Sequence, residues 1–444
     1  MKSITLPGVL LMRRLSLLNK FLLVSFFMLL PLAYTAFLYL GETRKQATFM
    51  VDERDGLIYV KPLLRLIQLV QDHRGMTYVT ANGNKAMAEP RLQVQNKIRP
   101  VLAEIDAAEL KLGPRYGSAA NLRKIKEQLK ELLVPEVSSD SEGVFGLHSA
   151  LVIDIRGLIN FVTLKSNLIL DGDLASYHLM DLVTNQVPEL SERFALARGV
   201  GTSIIMRKEL MASDQVRVSL LEAFAQEHYR NFINDLDIIA AESNQAKEAL
   251  AASRKEIGPM TEFMSDIGLM LSPGGLTVLT PEVYFQSVTR AVGATFRIAD
   301  VAIPLLDTLL QQRIQEFRRQ DWLAQGIAFA CLAVALYLFV AFFYSVRSGI
   351  SFLRKALARV AAGDLTSTIE LRAHDEIGLV TTSLKEAQEH LRTLTQDINK
   401  AAENVLVASN QIADGNDDLS RRTEAQASTL EETSASLEEL TATV

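Results

Sequence analysis

The chain has 444 residues, with 46 Lys+Arg against 52 Asp+Glu, a formal charge of −6 and one cysteine. The acidic balance and the lack of a lysine/arginine block argue against a nucleic-acid partner, because neutralising phosphates takes a basic face. The lone Cys331 excludes an intrachain disulfide and any cysteine-built zinc or iron–sulfur site.

The tail 1–20 carries Lys2, Arg13, Arg14 and Lys20 and no acid. Residues 21–40, FLLVSFFMLLPLAYTAFLYL, then run without a charge, as do residues 323–344, LAQGIAFACLAVALYLFVAFFY. A helix crosses the hydrocarbon core with about 20 apolar residues, so each block is predicted to span once. Pro31 is tolerable there, since neighbouring helices can satisfy the freed carbonyl. No small-residue cleavage site stands out after the first block, which argues against a removable signal peptide. After the second block come Arg347, Arg354, Lys355 and Arg359 before the first acid, Asp364, whereas 41–55 and 306–322 mix both signs. The positive-inside rule then puts both termini in the cytoplasm and residues 41–322 outside. Cys331 falls in the second block as a small packing residue.

Residues 41–322 read as helix almost throughout. Leu57, Val60, Leu63, Leu64, Ile67 and Val70 recur at helical spacing. Breaks are predicted at Ala81–Asn84, Gly113-Pro114, the Ser/Asp/Glu run 138–142, Gly172, Gly258-Pro259 and Pro273-Gly274-Gly275. Thr280-Pro281 reads as an N-cap followed by a first-turn proline, opening a helix that can run on into the second block. A helical domain follows, as two stacked bundles or one bundle with an added layer.

The histidines of this segment, His73, His148, His178 and His228, have no spacing that would hold a metal. Asp171 and Asp173 around Gly172 are too few for a calcium loop. Gly199-Val200-Gly201 follows no strand and fails as a dinucleotide turn. No metal and no cofactor is expected. Three Arg-Gly pairs recur, and they make Arg74, Arg156 and Arg198 the candidate ligand-binding residues, because a guanidinium is the natural partner of a small carboxylate or oxyanion. The competing reading for each is an ion pair inside the bundle or a solvated face.

Beyond the second block, Ile350, Leu353, Leu357 and Val360 form one short amphipathic helix ended by Gly363-Asp364-Leu365. A connector, 366–374, leads to Asp375-Glu376, acids placed at the positive end of a second helix. From Ile377 a heptad repeats without slipping through Leu384, Leu391, Ile398, Val405, Ile412 and Leu419, which predicts a coiled coil. Two short helices joined by a connector directly after a span, with AAGDLTSTIE and HDEIGLVTTSLKEAQEHL, resemble the HAMP signal-relay module. Gly349 stands where that module usually has a proline, which would loosen the angle of its first helix. Kinases, cyclases and chemoreceptors all use the module.

The last stretch, DLSRRTEAQASTLEETSASLEELTATV, resembles the first methylation helix of methyl-accepting chemotaxis proteins. With Leu419, Gln426, Thr433 and Leu440 as one core row and Thr423, Leu430, Leu437 and Val444 as the other, Glu431, Glu432, Glu438 and Glu439 face solvent. Periodicity alone would make these an ordinary solvated face. The resemblance implies that Glu432 and Glu439 are methyl acceptors, in the frames TLEETSAS and SLEELTAT, with Ala425 at a third station that is lost. It further implies a homodimer, a methyltransferase and a methylesterase as partners, and a histidine kinase with its coupling protein at a tip beyond this chain.

The expectation is therefore an all-α chemoreceptor of the bacterial inner membrane. Its parts are tail 1–20, span 21–40, sensing domain 41–322, span 323–344, a HAMP parallel coiled coil 345–398 and a signalling coiled coil 399–444. It senses an extracytoplasmic small molecule and is not an enzyme. The alternatives are a piece of a HAMP-containing histidine kinase or nucleotide cyclase, or a structural membrane coiled coil. The sequence stops in mid-helix and in register, so a fragment of a longer receptor is expected rather than a truncated product.

Overall fold

The computed structural model describes residues 2–82, 85–134, 140–370 and 373–442. Among these residues there is no strand. Gly83-Asn84, residues 138–139 of the acidic run, residues 371–372 of the connector and Val444 lie outside the described residues. The chain divides into two compact units, Leu32–Gly326 and Met1–Pro31 with Ile327–Val444.

The unit Leu32–Gly326 is all helical. It is built from α2 (Leu17–Ala81), α3 (Ala88–Tyr116), α4 (Ala119–Leu132), α5 (Ser141–Lys165), α6 (Leu174–Asp181), α7 (Val187–Arg207), α8 (Ala212–Glu242), α9 (Asn244–Ala251), α10 (Ile257–Leu271), α11 (Gly275–Val278) and α12 (Pro281–Ala361). The first and last of these helices begin or end in the other unit. The periodic residues predicted on α2 are all buried, and one contiguous core runs from Leu57 to Leu310. α8 lies against α6 and α7 and carries α9 and α10. The Phe263 ring of α10 packs edge-on against Phe194 of α7 and Tyr284 of α12. α7 is buried around most of its circumference, polar Ser191, Glu192 and Arg198 included.

Several helices are closed by side-chain caps, the one at Thr280 as predicted. Thr280 receives the amides of Val283 and Tyr284 at the start of α12, whose first residue is Pro281. Asp140 and Asp173 cap α5 and α6 through their carboxylates. The break predicted at Gly113-Pro114 is corrected: α3 runs through Pro114 to Tyr116 and is stopped by Gly117, in the left-handed region at φ 77°. The freed carbonyl is that of Leu110, which is well exposed, so water can satisfy it. Gly258-Pro259 lies not in a break but in the first turn of α10, where proline is at home. Between α6 and α7, Leu182–Gln186 form a π-turn that periodicity did not signal.

In the other unit, α1 (Lys2–Arg14) precedes the start of α2, and α13 (Glu376–Thr441) follows the end of α12. The predicted tail is thus largely helical. Phe21 meets Phe339, Phe342 and Phe343 at centroid distances of 5.5, 5.5 and 5.2 Å, edge-on or tilted. Ala361 ends α12, Gly363 turns the chain at φ 86°, and the Asp364 carboxylate holds the amides of Thr366 and Ser367. Asp375 then caps α13 by accepting from the amides of Ile377 and Gly378. A Cβ on Gly349 would come within 2.9 Å of Ile377 Cγ2. The glycine therefore permits a close approach of the two helices rather than a loose one. By length and composition three helices are apolar enough to cross a membrane: α2, α12 and also α5, where part of the apolar window is buried in the protein and that of the other two is not.

Candidate functional site

The three candidate arginines lie in the unit Leu32–Gly326, on α2, α5 and α7. Arg74 of α2 is the most enclosed, together with Arg198 of α7. Its Nη1 donates to Glu192 Oε1 at 2.7 Å and its Nη2 to Glu192 Oε2 at 3.0 Å, a two-pronged ion pair. Nη1 also donates to Ser149 Oγ, and the guanidinium lies 4.9 Å from the Phe145 ring centroid. Gln71 Nε2 donates to the same glutamate at 3.0 Å and to Ser191 Oγ.

Arg198 completes this layer from the opposite side. Its Nη2 donates to the Gln71 carbonyl at 2.8 Å, and its Nη1 to Thr289 Oγ1 and more distantly to Asp72. Its Nε is buried without a hydrogen-bond partner. Burial holds the Arg198 pKa below the usual arginine value and pushes Asp72 up, with their mutual attraction opposing both shifts.

The glycines beside the arginines explain two of the three pairs. A Cβ on Gly75 would sit 2.8 Å from Arg198 Nη2, and one on Gly199 would sit 2.7 Å from Phe145. Each glycine makes room for a side chain of the layer. Arg156 differs: it is partly buried and pairs with Glu189, which also takes Arg193 and lies near His228. All three candidates are thus engaged by carboxylates inside the chain.

Glu192, the hub of the layer, is absent from the sequence-derived candidates. Within SERFALARG it looks like any solvated acid, and only the fold turns it inward. Two of the histidines, far apart in sequence, are brought together by the fold. His73 Nδ1 and His148 Nε2 meet at 2.8 Å, and the chain continues to Gln95 on one side and the Val144 carbonyl on the other. Burial is the largest cause holding His73 down at about 3 and His148 at about 4. Among the described residues no group of three or more His, Cys, Asp or Glu is placed to hold a metal.

Beyond Phe145 a cleft opens where the ends of α2 and α7 meet the start of α5. It has a volume of about 290 Å³ and is lined by Tyr78, Asn82, Glu142, Ser203 and Arg207 among others. An adjoining hollow is floored by Phe145 and Gly199. One aromatic ring therefore separates open space from the Arg74 guanidinium.

On α13 the predicted core residues Leu391, Ile398, Val405, Ile412, Leu419, Leu430, Leu437 and Leu440 are all exposed in the single chain. Glu431, Glu432, Glu438 and Glu439 are exposed as well.

Residues 353–393 match the family model of the HAMP domain. A 71-residue stretch is 38% identical to methyl-accepting chemotaxis protein IV of Escherichia coli (strain K12), covering 16% of this chain and 13% of that protein. The chain thus matches only a small part of that relative's length. The solved structure of the NasR transcription antiterminator superposes over 83% of this chain and 95% of its own, at a TM-score of 0.46 and 14% identity, too distant to carry an argument. The chain thus contains a HAMP domain at residues 353–393 and, over the stretch matched, is similar to a methyl-accepting chemotaxis protein.

Proposed function

We propose that the protein is a transmembrane chemoreceptor of the bacterial inner membrane, with two spans and both termini in the cytoplasm. It senses a small extracytoplasmic molecule and passes the signal through HAMP to a methylatable coiled coil that controls a chemotaxis histidine kinase. The observation that carries this reading is α13. It continues the second HAMP helix as one unbroken heptad whose core row is exposed in a single chain, with Glu432 and Glu439 on an open face. Leucine at core spacing left in water is a cost that a second copy removes, so the working form is a homodimer.

The ligand end of this reading rests on Arg74 and Arg198, with Arg156 beside them. Two buried guanidiniums, with Phe145 between Arg74 and an adjoining hollow, suit a small carboxylate or oxyanion that competes with Glu192 and Asp72. A coupling protein and a histidine kinase are its proposed cytoplasmic partners. Methylation of Glu432 or Glu439 removes one negative charge from a helix face and eases repulsion between neighbouring helices.

The test is incubation of membranes holding the protein with the cognate methyltransferase and labelled S-adenosylmethionine, followed by mass spectrometry. Methyl esters at Glu432 and Glu439 are expected. No label at either, with a known receptor labelled in parallel, would sink the methyl-acceptor claim.

A further inference from the structure

One face of α5 has no use inside a single chain. Its inner side, including Leu151, Val152, Ile155, Leu158, Ile159 and Val162, is in the core. Its exposed positions between residues 146 and 164 are Gly146, Leu147, Ala150, Ile153, Gly157, Asn160 and Leu164, without one charge among them. Ile153 is 63% exposed, Leu164 58% and Leu147 52%. A solvated helix face normally carries charges, whereas here an uncharged outer side adds to an apolar inner side, and the helix as a whole is apolar enough to cross a membrane.

The spacing is regular. From Gly146 the exposed positions step by four, three, four, three and four residues to Ala150, Ile153, Gly157, Asn160 and Leu164. That is the a/d alternation of a coiled-coil seam. Glycine and alanine at three of these positions let a partner backbone come close, and an open Cβ direction at Gly146 and Gly157 shows nothing else fills that space. The rim is charged but closed upon itself: Asp154 pairs with Lys124 on one side, and Arg156 with Glu189 on the other. Charges paired within the chain repel an identical rim less than free ones would.

We infer that the outward face of α5, from Gly146 to Leu164, packs against the same face of a second copy of this chain. The inference rests on the homodimer proposed above and adds a second, separate place of contact. In the arrangement we infer, the two-fold axis runs along α5, so the two α5 helices are parallel. In a parallel pair Asn160 faces its own counterpart, where two amides can hydrogen-bond each other and fix the register, as single buried asparagines do in coiled coils. An unrelated apolar partner would gain nothing from that asparagine, and neither would lipid.

The test uses the full chain in native membranes with Cys331→Ser, so that each added cysteine is alone. Ala150→Cys and Ile153→Cys probe the face, Leu110→Cys on exposed α3 is the off-face control, and Leu419→Cys reports the α13 seam. Mild oxidation should convert the monomer band to a disulfide-linked dimer at positions 150, 153 and 419, with little conversion at 110. Linking at 419 with none at 150 or 153 overturns the α5 interface and leaves the dimer standing. No linking at any position overturns the homodimer and this inference with it. Failure at 150 and 153 together with protection of those thiols from a water-soluble maleimide would place the face in lipid, which also overturns the proposal.

Discussion

Arg74 and Glu192 meet through two hydrogen bonds of 2.7 and 3.0 Å, with the arginine side chain 1% exposed and the glutamate 6%. Such a pair is held in place by the cost of breaking it more than by any net gain from forming it. Glu192→Ala strands a guanidinium in the core and is expected to lower unfolding stability by about 3–5 kcal/mol. The double variant Arg74→Met, Glu192→Leu should recover most of that loss. Denaturant unfolding of the detergent-solubilised protein decides it, and equal losses in single and double variants would contradict the argument.

Glu53 is fully buried, and neither of its carboxylate oxygens has a hydrogen-bond partner. It faces Asp171 of the α5–α6 connector and Arg313 of α12, whose Nη2 lies 2.7 Å from Asp171 Oδ1 and whose Nη1 lies 3.6 Å from Glu53. Neighbouring charges are closed in other pairs, Arg54 with Asp307, and Arg115 with Asp52 and Asp55. Burial first, and then Asp171, push the Glu53 pKa up to about 7. The folded state thus holds a proton that the unfolded chain releases near its ordinary value of 4.5. The Glu53 contribution is greatest below the unfolded value and is lost as pH rises from there through the folded pKa of about 7. Glu53→Gln should flatten that slope in melting temperatures measured across the window. An unchanged slope would refute the assignment.

The His73–His148 pair predicts the opposite slope. Both are held below their ordinary 6.5, so the folded state refuses protons that the unfolded chain accepts. Stability from this pair is complete above 6.5 and falls away as pH drops towards about 4 and then about 3. His148→Gln should reduce the acid sensitivity of unfolding, even if the variant is less stable at neutral pH. Acid melts of the two proteins side by side would show it.

A Cβ on Gly201 would meet the buried phenol of Tyr284 at 2.4–2.5 Å, a ring pinned by its hydrogen bond to the Ala197 carbonyl. Overpacking of a rigid neighbour costs typically about 1–3 kcal/mol. Gly201→Ala should be destabilised by that amount in denaturant titration, and Gly172→Ala, with nothing within 4 Å of the added Cβ, should not.

The helical class, the two uncharged blocks, the start at Thr280-Pro281 and the cap at Asp375 were legible because each is a local signal. Periodicity, hydropathy and capping need only neighbours in sequence. The polar layer was half legible. Arg74 and Arg198 were singled out by their glycines, yet Glu192, the His73–His148 contact and the Gly75–Arg198 fit depend on which faces of α2, α5 and α7 meet. The helix ends at Asn167 and Lys208 were missed for another reason: both residues adopt left-handed backbone, at φ 61° and 57°, without the glycine that usually marks such a stop.

The π-turn at Leu182–Gln186 has a bearing on all of this. Asp181 receives the side-chain amides of Asn185 and Gln186 across the widened turn, and Val187 begins α7 directly after it. A π-turn holds one residue more than the α-helix would, and each residue of an α-helix advances the side-chain direction by about 100°. The single extra residue sets the phase of everything downstream. With one residue removed from the turn, Glu192 and Arg198 would be carried about a quarter-turn around the axis of α7, away from Arg74 and from Gln71, while the helix itself would stay intact. An insertion or deletion at this one point could therefore rewrite the interior chemistry of the bundle without altering any residue that takes part in it.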